Sequence, residues 1–551
     1  MNSSVCAYES GVLGSEFRCT FFLSVLAFVF ASLMPSTGFA QEPPVGEDYL
    51  CEPDDAVMSP ARYLRALSLH LRGVVPSEAE YAAAGDSAMV DALLDEWLVT
   101  EAFTDQVVRR HRDLLWNNVS NTRVISLQAI LGRSRTTSAD PYRYWLGNKA
   151  RTYRGNRVPC DDTPAVINDG VIQYRVDTSG PVPTRIEGYV EVEPYWAPGT
   201  MIRVCAFDAQ ASAVSSSGTD CNSDRSSAEA GCGCGPNLER CADSARDTAI
   251  RAAIGQEVSE RIRSFFNEDA ERAYHELFTE KRAYVNGVLA HYWQHQVYNP
   301  NGGMRMVPRP IPVEGFEAID YADTEWREVS VGEAHSGILT SSAFLLRFQT
   351  NRARASRFYD AFLCEPFQPP SGGIPEATDE EAREVDLQKR AGCRYCHAQL
   401  EPAASRWGRW VELGGGYLDP VSYPPVREDC RQCALGLLTC SSDCRFNYVT
   451  VGLSASQEPF FGMLRSYEFR REDHEDFVED GPSRLVNEAT ADGRMSACTA
   501  RRTAEWLLGR ELRAEEMSWI EQLTFDYVQG GTRYRDLVRT IVSSDVYRRV
   551  R

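Results

Sequence analysis

The sequence predicts a mainly α-helical, multidomain protein with a β-rich, disulfide-stapled insertion. Three observations support this. The chain has 551 residues, about twice the ~250–300 at which a single hydrophobic core stops growing, so several packed units are expected. Its composition, 43% hydrophobic and 25% charged, is that of folded protein. Apolar residues recur at helical spacing along most of the chain. Between 125 and 245 that pattern gives way to alternation and to Gly, Pro, Ser and Asp.

Residues 20–34 are almost wholly apolar, follow Arg18 and lead to Gly38-Phe39-Ala40, a small-x-small cleavage signal before Gln41. The run is short of the ~20 residues a membrane span needs. Residues 1–40 therefore read as a secretory signal peptide, with an uncleaved N-terminal anchor as the alternative. The mature chain is expected in the periplasm or otherwise exported, with no membrane span. Residues 41–124 read as a helical domain. Ser59-Pro60 is a helix start, Leu64, Leu67 and Leu71 share a face, and Arg72-Gly73 stops the helix. A second helix begins near Asp86 with Val90, Leu93, Leu94, Trp97 and Leu98 on one stripe. A third carries Phe103, Val107, His111, Leu114 and Leu115, which makes His111 a core histidine.

The insertion spans 125–245, with strands expected over 171–176, 186–193 and 200–207 and a stapled polar loop over 215–239. A middle helical domain follows over 246–368, periodic from about 247 to Tyr298 and again over 337–364. Within it His291 and His295 are four apart, a spacing that can hold a metal or haem iron. Their neighbours Val288, Tyr292 and Trp293 point to core packing instead. The stretch 369–480 opens on a Pro369-Pro370-Ser371-Gly372-Gly373 linker and a solvated acidic face at 376–386. A C-terminal helical domain, 481–551, has helices beginning near Ala497, Ala514 and Thr532, the last with Leu537, Val538 and Ile541 inward.

Charge and missing motifs exclude several functions. With 58 basic and 78 acidic residues the net charge is −20, which argues against nucleic acid or an anionic membrane surface as partner. The only lysines are Lys149, Lys281 and Lys389, and no Gly-Lys pair exists to build a Walker-type phosphate loop. Neither a G-x-S-x-G elbow nor an H-E-x-x-H zinc helix occurs. Seventeen cysteines fit an exported chain, where disulfides persist. Cys232, Cys234 and Cys241 form one local cluster, and Cys430, Cys433, Cys440 and Cys444 another. The second fits two disulfides or a zinc site, and export favours the disulfides.

Cys393-Arg394-Tyr395-Cys396-His397 is a C-x-x-C-H sequence, the pattern of c-type haem attachment. Two residues between the thiols let one turn of chain offer both sulfurs to the vinyl groups of one porphyrin. The adjacent imidazole then reaches the iron from the same side. Cys430-x-x-Cys433 is followed by Ala434, so the expectation is one covalently attached haem c, held by Cys393, Cys396 and His397, with a disulfide beside a histidine or a zinc half-site as the alternatives. Met463, four residues after Pro459, is the candidate sixth ligand, with a core methionine between Phe461 and Leu464 as the alternative. Met495 is a weaker candidate, as is His474, whose acidic neighbours mark a solvated segment. Trp407, Trp410, Arg406 and Arg409 read either as porphyrin and propionate partners or as ordinary core and surface residues.

Residues 393–402 resemble the haem-binding domain of the large exported planctomycetal-type cytochrome c proteins. That family usually has Asp-Pro shortly after the haem histidine, where this chain has Glu401-Pro402. Residues 65–80, 277–293, 335–370 and 507–549 resemble the family's other helical domains. The resemblance implies an exported haem protein with a helical cytochrome c-like domain over 369–480, helical flanks and a redox role, but no particular substrate. Three functions stand open. The first is electron transfer to or from a redox partner protein. The second is a haem oxidoreductase with an open distal site. The third is an exported binding protein for a polymer or partner. A closed sixth position suits a carrier, whereas an open one permits oxygen or peroxide chemistry.

Overall fold

The computed structural model describes residues 56–550, except 135–136, 139–140, 147–159, 216, 224–230, 269–271, 298–304, 370–371, 374–377 and 467–470. The signal-peptide reading of 1–40 lies outside these residues. No helix among the described residues is long and apolar enough to cross a membrane.

The N-terminal helices form where the sequence places them. Pro60–Arg72 buries Tyr63, Leu64, Leu67 and Leu71, and Gly73 ends it at φ 74°, its N–H returning to Leu69 O at 3.0 Å. Each fully buried leucine contributes about 1.5–3 kcal/mol. Asp86 caps Ser87–Trp97 by accepting the Ala88 and Met89 amides. Glu101–Leu115 buries Phe103, Val107, His111 and Leu115. A short helix, Glu78–Ala82, was not expected, although its Ser77–Glu80 capping box is written in the sequence.

The insertion is a six-stranded mixed sheet. Its path runs Leu131–Ser134, Arg143–Leu146, Ile202–Cys205, Thr184–Val192 and Cys160–Pro164, and Arg175–Asp177 also pairs with Thr184–Val192. Thr184–Val192 lies antiparallel to Ile202–Cys205 with Tyr189 opposite Cys205. Gly188 lets the neighbouring strand approach closely, since a Cβ there would strike the Thr163 carbonyl. Disulfides Cys160–Cys205, Cys221–Cys232 and Cys234–Cys241 staple this stretch. Its small core is Leu131, Leu146, Val204, Cys234, Leu238 and Cys241.

The molecule as a whole is mixed α/β, about 48% helical, which corrects the mainly helical expectation. The helix read from 247 onward ends at Glu268. A 3₁₀ turn, the strand Arg282–Val285 and a helix with a π-helical turn follow, Gly287–His291 and Tyr292–Gln296. Arg282–Val285 pairs with Arg327–Ser330, and Ala56–Val57 pairs with Arg549–Val550 near the C-terminus. These strands are only two to four residues long, too short to show a period of two.

A large core links the N-terminal helices, the middle helices, the C-x-x-C-H helix and the C-terminal helices, from Tyr63 through Phe344 and Trp407 to Tyr547. The disulfide Cys364–Cys498 closes a 134-residue loop that contains the C-x-x-C-H helix. Fully buried Arg354 fixes the chain just after that helix. Its guanidinium donates to the carbonyls of Leu345, Phe348, Trp410, Val411 and Gly414 and to Asn351 Oδ1. No cytochrome-like haem domain is identifiable among the described residues of the stretch 369–480. Its described residues hold the motif helix and then a small module cored by Val411, Leu418, Cys430, Cys433, Cys444, Tyr448 and Leu464.

Candidate functional site

Cys393 occupies the N-cap position of the helix Arg394–Ser405. With 3.6 residues per turn, Cys393, Cys396 and His397 fall on one face of its first turns. All three are partly exposed. Cys393 and Cys396 are the free cysteines among the described residues, and the other twelve form six disulfides.

His397 Nδ1 lies 2.5 Å from Glu401 Oε1, one turn on, and Glu401 is fully buried. Arg352 Nε donates to the same oxygen at 2.8 Å. The carboxylate thereby sets the imidazole's orientation and tautomer, with Nδ1 carrying the hydrogen. Nε2 has no hydrogen-bond partner among the described residues and is left to ligate. Glu401 Oε2 and Arg352 Nη2 are buried without partners, so polar capacity beside the imidazole is unused. Pro402 lies within the helix, and Ser405 Oγ donates to its carbonyl at 2.6 Å. Glu401 was quoted from the sequence only as a variant of Asp-Pro. Its i,i+4 spacing from His397 was the signal of its role.

These residues fit a covalently held haem. Two unpaired thiols and one oriented imidazole with a free Nε2 form the donor set of c-type attachment.

Met463 lies elsewhere, in the stapled module. It bridges Val426, its carbonyl accepts the Val449 amide at 2.9 Å, and its N–H reaches Phe460 O at 3.0 Å. It is half-buried and outside the core clusters. Met495 is buried, and its sulfur lies 3.7 Å from Thr490 Oγ1. His474 is buried against Phe477, which corrects its reading as a solvated residue, although its acidic neighbour Glu472 is exposed. Trp407 and Trp410 are core residues, with Trp407 Nε1 donating to Leu339 O at 3.1 Å. Arg406 pairs with Asp480 and Glu488, and Arg409 with Glu479.

Four further histidines, His111, His291, His295 and His335, are packed into the fold. His111 is fully buried, its ring bonded to Val107 O at 2.8 Å and Tyr274 Oη at 2.7 Å, and burial pushes its pKa down to about 4. His335 lies between Pro310 O and Thr340 Oγ1, lowered by burial to about 3. His291 stacks on Tyr195 with ring centroids 3.7 Å apart, and Glu239 O accepts from its Nε2 at 3.0 Å. Burial, then the neighbouring His295, lowers it to about 3, and burial lowers His295 to about 4.

Cys430–Cys444 and Cys433–Cys440 are disulfides, so the second cysteine cluster is stapled as export favoured. Among the described residues, the two groups of His, Cys, Asp or Glu close enough to grip one ion are each a carboxylate beside a disulfide, Glu187 with Cys160–Cys205 and Asp429 with Cys430–Cys444. Their sulfurs are already bonded. No family model, curated protein or solved structure matches the chain.

Proposed function

We propose that the chain is an exported monohaem c-type cytochrome that passes electrons to or from a partner protein. The observation that carries this reading is the fate of the cysteines. Every described cysteine outside the C-x-x-C-H sequence is in a disulfide, and the two within it are free beside an oriented imidazole. The six disulfides are compatible with an oxidising compartment. The resemblance of 393–402 to planctomycetal-type cytochrome c proteins points the same way.

When bound, haem c supplies a one-electron couple whose potential depends on its axial ligands and surroundings. Cys393 and Cys396 would anchor it, His397 would ligate through Nε2, and Glu401 would hold that ring and keep the proton on Nδ1. Met463 would be a second residue to hold the iron, because it is half-buried while Met495 is enclosed in the core.

Visible spectra of the purified protein, oxidised, reduced and under carbon monoxide, test the reading. A closed carrier gives a c-type reduced spectrum unchanged by carbon monoxide, and Met463→Ala lowers the potential and admits the gas. Ready binding of carbon monoxide by the unsubstituted protein favours the haem oxidoreductase with an open distal site. A closed site unaffected by Met463→Ala removes Met463 as ligand.

A further inference from the structure

A cleft of about 630 Å³ lies along the motif helix. Tyr395, Ala398, Gln399, Pro402, Ala403 and Arg406 form one wall. These recur at i, i+3, i+4, i+7, i+8 and i+11, the stripe opposite Cys393, Cys396 and His397, none of which lines the cleft. It is therefore a separate site, and its volume falls within the ~300–1,000 Å³ typical of ligand pockets.

Aromatic rings and paired charges make up its walls. Tyr359, Phe367, Tyr395 and Phe477 converge on it from four segments, and each is only partly covered or exposed. Tyr359 and Phe367 pack on each other with ring centroids 4.8 Å apart, and His474 stacks on Phe477, so Tyr395, 37% exposed, is the ring of the four that stands open to this concavity. Between them stand two ion pairs, Arg406–Glu488 at 2.8 Å and Arg494–Glu365 at 3.2 Å. Arg406 also lies over the Phe477 ring, 4.0 Å from its centroid, and is itself 4% exposed.

The two guanidinium groups of the wall are held by its two carboxylates and, beside it, by Asp480 and Asp492, while Arg484 also holds Glu488, so an anionic ligand would find no unmatched positive charge and would have to break a pair. A hydroxyl, which both donates and accepts, can use a guanidinium N–H and a carboxylate oxygen together. A ring with hydroxyls at its edge and C–H groups on its faces matches both parts of the wall.

We propose that this cleft binds a neutral saccharide chain, a ring against Tyr395 and its hydroxyls on the Arg406–Glu488 and Arg494–Glu365 pairs. This site does not depend on the haem reading, and Cys396→Ala leaves it intact.

Calorimetric titration of the purified full-length protein with neutral hexasaccharides of α-glucan, β-glucan, xylan and mannan tests it. At least one binds, and Tyr395→Ala or Gln399→Ala, both exposed positions that spare the core, weakens it about tenfold or more. Three results would overturn the proposal. The first is no binding by any of the four up to about 10 mM. The second is binding unchanged in both variants. The third is tighter binding of polygalacturonate, a polyanion, than of any neutral chain.

Discussion

Cys430 and Cys433 are three apart on the helix Glu428–Ala434, and Cys393 and Cys396 have the same spacing at the start of the motif helix. In both places the helical turn directs the two thiols to one face. Cys430 and Cys433 meet a second pair, Cys444 and Cys440, and each forms a cross-link. Among the described residues Cys393 and Cys396 meet no other cysteine pair, and beside them stands His397, held by a buried carboxylate. The spacing of a C-x-x-C pair therefore does not fix its chemistry. What the same face meets does, a complementary thiol pair in one case and an oriented imidazole in the other.

The largest expected effect separates the two pairs by stability. Cys430→Ala with Cys444→Ala opens a 14-residue loop and should cost about 3 kcal/mol, read from the denaturant midpoint. Cys393→Ala with Cys396→Ala, compared with haem-free protein, should cost under about 1 kcal/mol, because these thiols cross-link nothing among the described residues. Equal costs at both pairs would break the comparison.

The next effect sharpens the contrast between His397 and the structural histidines. His111 and His295 have folded pKa values near 4, and His291 and His335 near 3, all depressed mainly by burial. In the unfolded chain each returns to ~6.5. Below that pH the unfolded state binds more protons, so stability is full above ~6.5 and falls as pH drops toward 4. The slope is about 1.4 kcal/mol per pH unit for each histidine. Denaturant midpoints from pH 7 to 4.5 measure this. His295→Gln, at the most exposed of the four, should flatten the slope, and an unchanged slope would remove His295 from the account.

The smallest effect concerns Glu401. Glu401→Gln keeps the shape but weakens the charge-assisted bonds to His397 and Arg352, for a loss of about 1 kcal/mol. In the haem-bound protein it should also shift the reduction potential, because the carboxylate raises the basicity of the ligating ring. An unchanged potential would reduce Glu401 to a packing role.

Much of this was written locally in the sequence. The helix Pro60–Arg72 was legible from its proline, its leucine spacing and Gly73. The strands Thr184–Val192 and Ile202–Cys205 were legible from their alternation. The motif itself needed only five residues. The pairing of Ala56–Val57 with Arg549–Val550 was not legible, because two-residue strands carry no period and their partners lie at opposite ends of the described chain. Arg354 was hidden because its value lies in carbonyls gathered from distant segments. His474 misled because its acidic neighbours describe the outer face of a turn whose inner side packs on Phe477. The cleft behind the motif helix left no linear trace, since its four aromatic residues come from separate segments.

The most direct test of the central claim is the state of Cys393 and Cys396 in the purified protein. The protein is denatured, alkylated without reduction, digested and weighed peptide by peptide. The account predicts that haem stays with the chain on a denaturing gel, that the peptides bearing these two cysteines carry the mass of one haem, and that neither sulfur is alkylated. A haem-free chain in which both sulfurs take the alkylating reagent, or are joined to each other, would contradict it.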